Sequence, residues 1–148
     1  MKYIVKAPNN INATVTLPAS KSLSNRALLI SAMAHDANGG SMILPDNLSD
    51  CDDTDVIVSA LRDMPDVIDI KAAGTAMRFM TAYLSVRDGE EHVITGTDRM
   101  CHRPIKTLVD ALRSLGADIE YVGEEGYPPL RIRGRRLQGG RIAIPGNV

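Results

Sequence analysis

Apolar residues recur along this chain at two periods, one helical and one alternating. Spacings of three and four predict helices over 22–34, 53–63, 75–86 and 104–115. The second is the cleanest, with Val56, Ile57, Ala60 and Leu61 on one face and Asp52 and Asp53 in the acid-favouring first turn. Short β-branched or alternating runs predict strands at 4–5, 13–17, 41–44, 67–70, 92–95, 119–122, 130–133 and 141–144. Gly39-Gly40, Asp88-Gly89 and the stretch from Gly123 to Pro129 carry turn chemistry between them. The pattern also repeats. Ser59-Ala60-Leu61-Arg62, a breaker and Val67 to Ile70 match Asp110-Ala111-Leu112-Arg113, Gly116 and Asp118 to Tyr121. Arg26 in the first helix corresponds to Arg78 in the third. Each half therefore reads helix, strand, helix, strand, which implies an α/β fold of pseudo-symmetric units with converging helix starts.

Composition narrows the class. A chain of 148 residues, 44% hydrophobic, can bury one sizeable core. With one Phe and no Trp, that core has to be aliphatic. The formal net charge of −1 gives no global case for nucleic acid or an acidic membrane surface. No apolar run approaches the length of a membrane span, and Met1 to Lys6 show no leader pattern. Cys51 and Cys101 stand apart without a disulfide or zinc framework, and His35 and His92 lack ligand spacing, so a cytoplasmic setting without metal or cofactor is expected. The basic run from Arg131 to Arg141 alternates Arg131, Arg133 and Arg135 with Ile132 and Gly134; lacking aromatic platforms, it reads as a solvated strand face.

The candidate chemistry sits at helix starts. Pro18-Ala19-Ser20-Lys21-Ser22-Leu23-Ser24-Asn25-Arg26 opens the first helix with two cations and several hydroxyls. Orphan backbone N–H groups there favour an anion, Lys21 adds a point charge, and Arg26 adds a fork suited to carboxylate or phosphate. Ordinary capping by Ser20 or Ser22 beside two solvated cations accounts for the same residues. Ala73-Gly74-Thr75-Ala76-Met77-Arg78 makes a second such start, although Gly74 also fits a plain turn glycine. Gly96-Thr97-Asp98 leads into Arg99-Met100-Cys101-His102-Arg103-Pro104, where Pro104 suits the first residue of a helix with Arg103 at its mouth. Three basic entrances in one small protein point to a polyanionic small molecule.

The ordered motifs S-K-S-x-S-N-R, A-G-T-A-M-R and R-M-x-x-R-P-I followed by L-V-D-A-L resemble those of the EPSP synthase family of enolpyruvyl transferases. The resemblance runs from about Ile11 to the end and takes in Tyr127 to Arg131 and Gly139-Gly140. Ser22, Asn25 and Arg26 favour this branch over the sister UDP-N-acetylglucosamine enolpyruvyl transferases, which carry a lysine–asparagine pair where Lys21-Ser22 stands. The resemblance implies an enolpyruvyl-transferase-like lobe of repeated small α/β units, two of three being present: opening strands over 1–18, a first unit over 19–70 and a second over 71–148. It also implies that a missing C-terminal lobe of the same enzyme would complete the site. Ala72 and Phe79 stand where the family commonly has asparagine and proline, and the link from Met64 to Ala73 is short where many members insert a hairpin.

The implied reaction moves the enolpyruvyl group of phosphoenolpyruvate to the 5-hydroxyl of shikimate 3-phosphate, in chorismate and aromatic amino acid biosynthesis. By position, Lys21 resembles the catalytic lysine touching both substrates, and Ser22 and Arg26 the shikimate contacts. Gly74 and Thr75 resemble the phosphoenolpyruvate contacts, and Arg103 its anion clamp. Arg78 is expected to bond loop carbonyls beneath the site. Asp98, Arg99 and His102 are expected at the surface, and Cys101 as a bystander thiol. The competing reading is a non-catalytic, truncated anion-binding domain. An apolar flank left by two units is expected to promote self-association.

Overall fold

The computed structural model describes residues 2–39 and 42–144. Four helices, a further single turn and a four-stranded sheet share one largely aliphatic core. The first helix, α1 (Lys21–Asn38), is capped by the Ser20 hydroxyl, which accepts from the Leu23 N–H. It buries Ser24, Asn25, Leu28, Leu29 and Ala32 along one stripe and stops at Gly39, whose φ of 70° suits a residue without a side chain. Helix α2 (Asp52–Asp63) places Asp52, Asp53 and Asp55 in its first turn and turns off at Met64 in the left-handed region. Strand β1 (Val67–Asp69) follows at once.

Helix α3 (Gly74–Ser85) is the centre of the molecule. It buries Ala76, Met77, Met80, Thr81, Tyr83, Leu84 and Ser85, and it packs against α1, α2, β2, β4 and α5. A helix enclosed on that many sides must satisfy its polar groups internally. Thr81 and Ser85 do so, each donating at 2.7 Å to a carbonyl one turn back. Strand β2 (Glu91–Thr95), the single-turn α4 (Asp98–Cys101), α5 (Lys106–Ser114), β3 (Asp118–Tyr121) and β4 (Leu130–Arg133) complete the chain. The sheet order is β1-β2-β4-β3, with β1 parallel to β2 and the other pairs antiparallel.

Alternation decides the two faces of the sheet. Ile94, Ile119, Leu130 and Ile132 point to the helices and are almost fully buried. Arg131 and Arg133 point away, between Glu91, Asp118 and Glu120 on the neighbouring strands. Arg133 Nε lies 2.8 Å from Glu91 and Arg131 Nη1 3.3 Å from Glu120, while Arg135 pairs with Asp118. The basic run is therefore a charge-balanced solvent face, as its period suggested. Such exposed pairs contribute a few tenths of a kcal/mol each, about 1 kcal/mol at most.

The sequence expectations meet three corrections. No strand forms at 4–5 or 13–17; Ile4 and Leu17 are about 88% and 80% exposed, because this segment has no neighbouring strand to complete its hydrogen bonds. Strands at 141–144 and, over its described residues, 41–44 are likewise absent, so the first half lacks the strand that β2 supplies in the second. Pro104 does not open α5. Thr97 caps the short α4, and Ile105 donates its N–H to the Gly126 carbonyl at 2.9 Å, which holds the chain to the β3–β4 loop and delays the helix to Lys106. The terminal stretch 145–148 lies outside the described residues. Among the described residues no helix is long and apolar enough to cross a membrane.

Candidate functional site

Cross-links between helices set their relative direction. The Arg26 guanidinium sits 5.6 Å from the centre of the Phe79 ring, and further along both helices Asp36 accepts from Tyr83 at 2.8 Å and pairs with Arg87. Helices α1 and α3 thus run parallel, with Lys21 and Ser22 level with Gly74 and Thr75. Helix α2 joins the same end. Thr54 donates to Asn25 Oδ1 at 3.0 Å, the Ser49 N–H donates to the Ser24 hydroxyl at 2.8 Å, and Lys21 Nζ lies 2.9 Å from Asp53 Oδ2. Arg78 ties in the approach to α5, donating to the Gly74 and Pro104 carbonyls at 3.1 Å each. Four helix starts therefore share one end of the molecule, and their partial positive charges add there.

The residues singled out from the sequence fall into two groups on that end. One group is Lys21, Ser22 and Arg26 on α1. Lys21 is exposed, and the hydrogen bond to Asp53 raises its ammonium above the ordinary lysine value, so it stays charged. Arg26 donates to the Ser22 hydroxyl and, at 2.9 Å, to the Ser22 carbonyl, which folds its guanidinium back along its own helix and onto Phe79. Ser20, rather than Ser22, caps the helix, which leaves the Ser22 hydroxyl on the cation.

The second group is Gly74, Thr75 and Arg103. The Arg103 guanidinium lies directly over the α-carbon of Gly74, so that a methyl group there would fall 2.9 Å from Cζ. Gly74 is thus a place of close approach by a cation, which a turn glycine alone does not require. Gly96 has a similar origin: a side chain there would meet the Lys71 carbonyl and lie 2.9 Å from Met100 Cγ, and its absence lets α4 fold under Arg103. Arg78 takes the supporting role expected of it. His102 Nδ1 donates to the Asp98 carbonyl at 2.7 Å on the surface, and Asp98 is open to solvent.

Sequence reasoning missed Asp53 as the partner of Lys21 and Phe79 as the platform for Arg26. The signal for Asp53 was its first-turn position, which was read only as helix chemistry. His92 is buried between the Pro65 carbonyl, 2.9 Å from Nδ1, and Glu90, 3.3 Å from Nε2; it joins the β2 edge to the α2–β1 link.

The structure is an α/β lobe whose helix starts share one end, with Lys21, Arg26 and Arg103 placed there among the acidic first turn of α2. Comparison with known proteins specifies its family. The family profile EPSP synthase (3-phosphoshikimate 1-carboxyvinyltransferase) matches residues 5–69 and 63–148, two segments that overlap from the end of α2 through β1. The 3-phosphoshikimate 1-carboxyvinyltransferase of Bacteroides fragilis (strain ATCC 25285) is 59% identical over all 148 residues, which cover 35% of that protein. That of Mannheimia succiniciproducens is 39% identical over 95% of the chain and 38% of its own length. Among solved structures, EPSP synthase from Acinetobacter baumannii superposes with a TM-score of 0.73 at 25% identity, over 88% of this chain and 34% of that one. The chain belongs to the EPSP synthase family. It spans about a third of the length of the curated relatives it matches.

Proposed function

We propose that these residues form the N-terminal portion of a 3-phosphoshikimate 1-carboxyvinyltransferase, with an opening segment over 1–18 and units over 19–70 and 71–148. In this reading the 5-hydroxyl of shikimate 3-phosphate adds to C2 of phosphoenolpyruvate, and phosphate leaves the resulting adduct. Lys21 touches both substrates, Ser22 and Arg26 hold shikimate 3-phosphate, and Gly74, Thr75 and Arg103 hold phosphoenolpyruvate. The observation that carries the reading is the packing of Arg103 over Gly74 at the same end of the molecule as Lys21. Two dense anions need several cations fixed before they arrive, and helix starts with forked arginines supply them without reorganisation.

The remaining lobe of such an enzyme is the proposed partner, the cytoplasm the proposed setting, and these 148 residues alone are expected to bind without turnover. The half-site leaves bound anions in water, where each charge-assisted bond contributes less than its usual ~1.5–3 kcal/mol. Titration with shikimate 3-phosphate, followed by amide NMR, is expected to give weak, salt-sensitive shifts centred on Lys21 to Arg26 that vanish in Lys21→Ala. Shifts centred on the Arg131–Arg135 face would overturn the assignment. Product formation by the 148 residues alone would also overturn it, by placing the whole catalytic set within them.

A further inference from the structure

Among the described residues three arginines lie over aromatic rings, and two of them show what such an arginine does with its donors. Arg87 sits 5.6 Å from the centre of the Tyr83 ring, and its Nε–Nη2 edge takes both carboxylate oxygens of Glu90, with Nε at 3.1 Å. Arg113 sits 5.0 Å from the centre of the Tyr121 ring, and the same edge donates to the Ile119 carbonyl, with Nε at 3.0 Å. In both, a ring covers one face of the guanidinium while the Nε–Nη2 edge is turned on oxygen.

Arg26 shares the ring and differs at the edge. Its Cζ lies 5.6 Å from the centre of the Phe79 ring. Its Nη1 is engaged by Ser22, through the carbonyl at 2.9 Å and through the hydroxyl. Its Nε and Nη2 have no hydrogen-bond partner among the described residues. Two bonds at one corner and a ring across one face thus restrain the group, and neither restraint uses the edge that Arg87 turns on a carboxylate. Phe79 is itself half-buried on α3 and packed against the core, so the platform is fixed by the fold. An exposed arginine without such a platform samples many rotamers, and a ligand that freezes it loses affinity in doing so.

We propose that Phe79 is a positioning residue for Arg26: its ring holds the guanidinium plane so that the Nε–Nη2 edge is set for the two oxygens of a carboxylate before the ligand arrives. The proposal rests on the reading that Arg26 holds shikimate 3-phosphate, and it adds the residue that presets the fork.

The test compares the 148-residue chain with Phe79→Leu, Phe79→Tyr and Arg26→Ala. Nitrogen-15 relaxation of the arginine Nε–H groups is measured without ligand, and affinity by titration with shikimate 3-phosphate. In the wild type, Arg26 Nε is expected to be markedly more ordered than that of Arg136, an exposed arginine. Phe79→Leu keeps apolar bulk without a ring face; it is expected to bring Arg26 to the mobility of Arg136 and to weaken binding roughly two- to tenfold, the range for ordering one long side chain. Phe79→Tyr keeps the ring and is expected to restore both. An Arg26 that stays ordered in folded Phe79→Leu, with affinity unchanged, overturns the proposal and leaves Phe79 as packing alone. Should Phe79→Leu fail to fold, the wild type decides: an Arg26 Nε as mobile as that of Arg136 overturns the proposal by itself. If Arg26→Ala binds shikimate 3-phosphate as tightly as the wild type, the functional reading fails at this residue, while the ligand-free order of Arg26 still decides whether Phe79 places it.

Discussion

A methyl group on Gly74 would collide with the guanidinium of Arg103, and that guanidinium is the flexible end of an exposed side chain. The collision is relieved by moving Arg103, not the backbone. Gly74 also begins α3, where alanine is the better helix former by roughly 0.5–1 kcal/mol. Gly74→Ala is therefore expected to leave the urea midpoint level or slightly raised while weakening phosphate or phosphoenolpyruvate binding about tenfold, the equivalent of one displaced charge-assisted bond of ~1.4 kcal/mol. Parallel denaturation and ligand titration separate the two effects. Loss of stability without loss of affinity would mean that Arg103 is a packing residue only.

Among the elements, the far ends of α1 and α3 are fastened by a polar cluster. Burial alone would raise the Asp36 carboxyl, but hydrogen bonds from Arg87 and Tyr83 outweigh it and hold Asp36 below the ordinary carboxylate range. Glu90 behaves in the same way, with burial opposed by Arg87 and His92. A carboxyl whose folded value is depressed contributes stability that is fully present above its unfolded value, about 3.9 for Asp, and lost as pH falls through the lower folded value. Asp36→Asn is expected to cost about 1 kcal/mol at neutral pH, after discounting for partial exposure. The gap between variant and wild type should then close as pH drops below about 4. Urea midpoints for both proteins across that range check the sign; a gap that widens in acid would show that the carboxylate is not the stabilising form.

At the scale of the molecule, burial is one-sided. Ile30 and Met33 of α1, together with Phe79, Ala82 and Val86 of α3, line an apolar groove with Arg26 at one end. Ile30 is 67% exposed and Met33 55%, so the groove presents large apolar side chains to solvent. Exposed grooves of this kind tend to be covered by association. The 148-residue chain is expected to form dimers or larger species with increasing concentration, and Ile30→Glu with Met33→Glu to shift it toward monomer. Light scattering across a concentration series decides the matter, and a wild-type monomer throughout would refute it.

How far the sequence reached is clearest from particular residues. Local periodicity located α1, α2, α3 and all four strands of the sheet, because each has an apolar stripe or alternation that depends only on neighbours in the chain. The motifs likewise marked Lys21, Arg26, Gly74 and Arg103 from residue types suited to anions at helix starts. Whether an extended segment becomes a strand depends on a partner, so the alternation at 13–17 was legible while its lack of a neighbouring strand was not. The pairing of Lys21 with Asp53, the stacking of Arg26 on Phe79 and the seating of Arg103 on Gly74 join residues about 30 to 50 positions apart. Loop closure over such distances leaves no local trace, since many folds can bring a given pair together. Sequence alone thus determined which residues are chemically suited to the site; the parallel packing of α1, α2 and α3 decided that their helix starts share one end.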